Sequence, residues 1–157
     1  VVPLFDADGE IVSLHARSVR MGEMPAGVPK GVSPTGHEIR GLVLADGLAR
    51  QVLRTGLPDW WTAEDPFRVL VVEGVPDFLA ASLAGREDVA DAPAIIGVLS
   101  GSWSKALAAR VPTGAILIVA THDDEAGEHY AECIRSTFDS RCSVYRAKPV
   151  AFERGLR

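Results

Sequence analysis

The sequence predicts an α/β fold, and three observations predict it. Beyond Pro66, short β-branched runs alternate with helical stretches, the runs are apolar on both faces, and the preceding segment has a different, hairpin-like texture. Alternating strands and helices imply βαβ units and a parallel sheet. Runs such as VLVV and ILIV suit strands covered by helices on each side. The expected architecture is a compact four-stranded parallel sheet flanked by helices over 67–148, preceded by a small mixed β-rich subdomain over 1–62.

Val1–Phe5 and Ile11–Val19 flank Asp6-Ala7-Asp8-Gly9, whose Asp-Gly step signals a hairpin. Gly22 to Gly36 is rich in glycine and proline and reads as a loop, and Ile39–Leu44 reads as a strand. From Ala45 to Thr55, Leu48, Val52 and Leu53 share one side of a helix that Gly56 stops. LPDWWTAEDP then connects the two halves. Strands follow at 68–72, 94–99, 115–120 and 142–147, separated by helices at 77–84, 104–110 and 125–138. Residues 149–157 read as the opening of a further segment.

At 157 residues and 47% hydrophobic content, the chain suffices for one domain with a core. No apolar run reaches the length of a membrane span, and no signal-peptide pattern opens the chain, so a cytoplasmic setting without a membrane partner is expected. Cys133 and Cys142 give neither a disulfide framework nor a zinc CxxC. The net charge of −5 disfavours coating nucleic acid through the overall field, but the charge is uneven. Asp59 to Asp91 carries a net −6 and Arg141 to Arg157 a net +4. An acidic middle with a basic flank suits metal-assisted work on a polyanion, and equally an ordinary solvated surface.

Both acid clusters fall at carboxyl ends of strands, where ligands bind in open parallel sheets. Glu73-Gly74 closes the 68–72 strand, with Asp77 opening the next helix; His122-Asp123-Asp124 closes the 115–120 strand, with Gly127 in the following turn. If those strands are neighbours, the carboxylates converge and repel unless a cation lies between them. Mg²⁺ suits such a site, because it keeps several waters and takes only one or two protein carboxylates. Helix capping is the plain alternative for Asp77, Asp123 and Glu125. Glu73 resists that explanation, since an acid ending a doubly buried strand needs a partner or solvent.

VLVVEGVPDFLAA and ILIVATHDDEAGEHYA together resemble the two signatures of the Toprim domain, a Glu-Gly after the first strand and an Asp-x-Asp after the third. The Glu73-Gly74-x-x-Asp77 form and the Asp124-Glu125-Ala126-Gly127 ending resemble the primase branch, which includes bacterial replicative primases and phage primase-helicases. LSGSWSKAL, containing Gly101, occupies the place of that family's Gly/Ser turn. The resemblance covers about residues 67–148 and implies a Toprim-like sheet and a divalent metal, Mg²⁺ or Mn²⁺, held by Glu73 and Asp124 with support from Asp123 or His122. It further implies a nucleotidyltransferase of DNA replication, including that of mobile elements, with single-stranded DNA and NTPs as partners and a helicase domain or protein nearby. A looser likeness of the preceding segment assigns Arg17 and Lys30 to nucleotide or template binding, with Gly31 where an aromatic commonly follows the Lys.

One departure stands out: His122 occupies the first position of Asp-x-Asp. An imidazole there favours a transition metal such as Mn²⁺, or Asp123 takes over as ligand, or the site is weakened and catalysis lost. A nuclease of the same fold and a catalytically degenerate nucleic-acid-binding module are therefore the rival functions. His129 and Cys133 share a helix face but lack the further ligands of a zinc site. Trp60-Trp61 reads as a plug between subdomains rather than a base-stacking platform. No P-loop motif is present, so any helicase motor lies elsewhere.

Overall fold

The computed structural model describes residues 1–19, 25–58, 61, 65–84, 92–100 and 102–147. Eight strands and four helices follow in the order β1 (Val2–Phe5), β2 (Ile11–Arg17), β3 (Gly31–Val32), β4 (Val43–Ala45), α1 (Gly47–Thr55), β5 (Arg68–Glu73), α2 (Gly74–Ala84), β6 (Ala94–Val98), α3 (Lys105–Arg110), β7 (Ile116–Ala120), α4 (Glu125–Arg135) and β8 (Ser143–Arg146). The α/β class is as the sequence predicts. The sheet is larger than expected: all eight strands join in one mixed sheet, β3-β2-β1-β4-β6-β5-β7-β8.

Within it β6, β5, β7 and β8 pair in parallel, with Val72 opposite both Gly97 and Ala120. The first segment is not set apart. Its hairpin β1–β2 is antiparallel, as the Asp-Gly turn requires, and β4 then pairs antiparallel with β6. The strand expected at Ile39–Leu44 is confined to Val43–Ala45, because Leu42 N–H turns back onto the Ile39 carbonyl at 3.1 Å and Gly41 takes a φ of 76°. Two residues of the expected loop, Gly31 and Val32, pair with β2 as an edge strand.

Three helices cover one face and α2 the other. Ala49, Val52 and Leu53 of α1, Leu107 and Ala108 of α3, and Ala131 and Ile134 of α4 pack on Val69, Val71, Leu117 and Val119. Val75 and Phe78 of α2 pack with Leu4, Leu44 and Ile95 on the reverse. Each fully buried aliphatic side chain contributes about 1.5–3 kcal/mol, so the apolar strands hold the sheet and leave their polar ends to function. Asp46 ties the halves together: one carboxylate oxygen accepts from Ala49 N–H, capping α1, and from Ile95 N–H of β6. Burial pushes its carboxyl up, against the lowering effect of those hydrogen bonds. Among the described residues no helix is long and apolar enough to cross a membrane.

Candidate active site

The chain leaves β5 at Glu73 and enters α2 at once. Gly74 makes that possible with a φ of 81°, a conformation in which a side chain clashes. Pro76 in the first turn costs no helix hydrogen bond, so α2 begins three residues before the expected Asp77. The Glu73 side chain is 15% exposed, held at the rim of the core.

On the adjacent parallel strand, β7 ends at Ala120 and the chain folds into a tight turn. Buried Thr121 donates its hydroxyl to the Gly127 carbonyl at 2.6 Å. His122 N–H donates to Glu73 Oε2 at 3.1 Å. The His122 ring lies between two carboxylates, with Nδ1 3.6 Å from Glu73 Oε2 and Nε2 3.4 Å from Asp77 Oδ2. Asp124 caps α4, Oδ1 accepting from Gly127 N–H at 2.8 Å. Gly127 is required by packing: a Cβ there would stand 2.0 Å from the His122 carbonyl oxygen, which belongs to backbone and cannot swing away.

The structure thus brings Glu73, Asp77 and His122 into contact, with Asp124 turned into its own helix by one oxygen and Asp123 exposed beside it. The cap of α4 is thus Asp124, not Asp123 or Glu125, for which the sequence offered capping as the alternative. Among the described residues no group of three His, Cys, Asp or Glu side chains is arranged to hold a metal. Mg²⁺ is usually bound through one or two carboxylates together with substrate phosphates, and carboxylate is the donor type that Glu73 and Asp124 supply.

Arg17 and Lys30 do come together. Arg17 pairs with Gly31 across β2 and β3, and Ser18 N–H donates to the Lys30 carbonyl at 2.9 Å. Gly31 leaves room there for the His15 ring, whose Nε2 would be 2.6 Å from a Cβ. The register keeps the basic pair away from Glu73, however. It runs from Glu73 to Val98, Val43, Phe5 and then Ile11, at the other end of β2 from Arg17. Six residues of strand correspond to about 20 Å.

Gly101, Trp60 and residues 149–157 lie outside the described residues. Trp61 meets Phe67 edge-on at 6.3 Å and packs against the core. Cys133 Sγ and His129 Nε2 share a face at 3.5 Å, while His122 is engaged elsewhere. Sequence reasoning missed Arg146, which lies beneath the site turn; its only signal was membership of the basic C-terminal stretch. Comparisons with family models, with curated proteins and with solved structures found no match.

Proposed function

We propose that this chain is the Toprim-like core of a primase-like nucleotidyltransferase that joins NTPs on a single-stranded DNA template. One observation carries the reading: Glu73, ending an apolar central strand, is in contact with the turn that closes the neighbouring parallel strand and carries His122, Asp123 and Asp124. Two acidic motifs at one sheet edge match the arrangement that the sequence resemblance implies.

In this reading Glu73 and Asp124 would hold a divalent ion, Mg²⁺ or Mn²⁺, which would supply charge neutralisation at the triphosphate. Where Glu73 is the general base rather than the ion's ligand, it takes the proton of the attacking 3′-hydroxyl, whose oxygen bonds to the α-phosphorus as pyrophosphate leaves. His122 stays between Glu73 and Asp77 and orients both carboxylates. Arg17 and Lys30, remote from Glu73 in register, neutralise phosphates of the template rather than of the nucleotide.

A non-catalytic nucleic-acid-binding module is the second reading, and the same imidazole favours it by filling the gap between Glu73 and Asp77. Labelled NTPs with single-stranded DNA and Mg²⁺ separate the possibilities. Short RNA products that Glu73→Gln abolishes are the expected result. Template fragmentation without NTPs would instead identify a nuclease, and metal-independent binding without any product the non-catalytic module.

A further inference from the structure

We infer that Arg146 is the positioning residue of the acidic turn, an assignment that rests on the proposed function for its catalytic consequence but not for its structural one. The turn has a supply problem. β7 ends at Ala120 and β8 at Arg146, so among the described residues no strand pairing reaches the carbonyls of Thr121 and His122. Backbone acceptors at the edge of a core need partners.

Arg146 provides them from the neighbouring strand. Nη1 donates to the Thr121 carbonyl at 2.8 Å, the Ala147 carbonyl at 3.0 Å and the Val119 carbonyl at 3.3 Å, and Nη2 donates to the His122 carbonyl at 2.9 Å. Nε and Nη2 also reach Glu128 Oε1 of α4, at 3.3 and 3.2 Å. The side chain is only 14% exposed. One planar fork therefore joins β8, the end of β7, the site turn and α4. An ammonium has three donors around one point and cannot span that set, so lysine is not an equivalent.

Chemically, the fork fixes the carbonyls of Thr121 and His122, and hence the turn that holds His122 against Glu73 and leads into Asp124. Small misplacements of catalytic groups are costly, so loosening the turn lowers turnover more than nucleotide affinity. The Glu128 contact is exposed and contributes little by itself.

Amide hydrogen exchange of the whole chain, wild type and Arg146→Lys, tests this. The expected result is roughly tenfold faster exchange at the His122 and Gly127 amides, unchanged exchange in β5 and β6, and in the primer assay a fall of kcat with little change of KM for NTP. Glu128→Gln, which removes the surface pair alone, is expected to leave turn exchange within about twofold of wild type. Unchanged turn amides in Arg146→Lys, or equal loosening in Glu128→Gln, would overturn the assignment. Should Arg146→Lys not fold, the wild-type guanidinium decides: resolved, slowly exchanging Nη protons support the fork, and averaged, fast-exchanging ones refute it. A wild type that makes no primers would sink the functional reading, while the exchange data would still judge Arg146.

Discussion

At the scale of single residues, the candidate site is a problem of glycine and charge. Gly127→Ala forces a methyl against the His122 carbonyl, and a loss of about 2–3 kcal/mol in denaturant unfolding is expected. Gly74→Ala is expected to cost about 1–2 kcal/mol through its left-handed backbone. Both glycines were visible in the sequence as motif positions, but their reasons were not. One serves a strand-to-helix turn without a loop; the other admits a backbone carbonyl. His15 offers a pH test far from the acids. Burial, aided by Arg17 and the N-terminal amine, holds its imidazole below the usual value. The unfolded chain therefore binds the proton more readily, so this contribution to stability is present above the ordinary pKa and lost as pH falls through the depressed one. Thermal melts across about pH 5 to 8 should show a decline toward acid that His15→Gln reduces.

At the scale of elements, the strand–helix alternation after Pro66 was legible because strands buried on both faces leave continuous apolar runs. The two-residue strand β3 was not, since it forms by pairing with β2 inside a segment whose composition says loop. The late start of β4 was likewise set by tertiary hydrogen bonding: the single Ser102 hydroxyl proton is shared between the Leu42 and Ile39 carbonyls, fixing the turn before the strand. Asp124 caps α4, and the proposed function gives it a second role that substitution separates from the first. Asp124→Ala should cost about 1 kcal/mol of stability, whereas Asp124→Asn, itself a good cap, should cost only a few tenths. Both are expected to lower primer synthesis about 10–100-fold, measured by product yield at saturating NTP. Equal activity of Asp124→Asn and wild type would leave Asp124 as a cap alone.

At the scale of the whole molecule, one sheet keeps the acidic residues and the basic pair apart. The carboxyl ends of β5 and β7 hold the acids, while Arg17 on β2 lies four strands from β5 and Lys30, just before β3, a strand further, at the opposite strand end. The sequence brought each group to notice but not their separation, because register across β1, β4 and β6 is a tertiary property. A template strand bridges such a distance, whereas a triphosphate does not. Binding of single-stranded DNA should therefore weaken with salt, and Arg17→Ala or Lys30→Ala should each lower the log–log slope by about 0.7. Neither change should alter the response to the divalent ion. Calorimetric titration of an NTP with and without Mg²⁺, using wild type and Glu73→Gln, most directly tests the idea that the ion arrives with its nucleotide. The expected result is little binding of Mg²⁺ alone, Mg²⁺-dependent NTP binding by wild type, and loss of that dependence in Glu73→Gln. NTP binding indifferent to both the ion and the glutamate would contradict it.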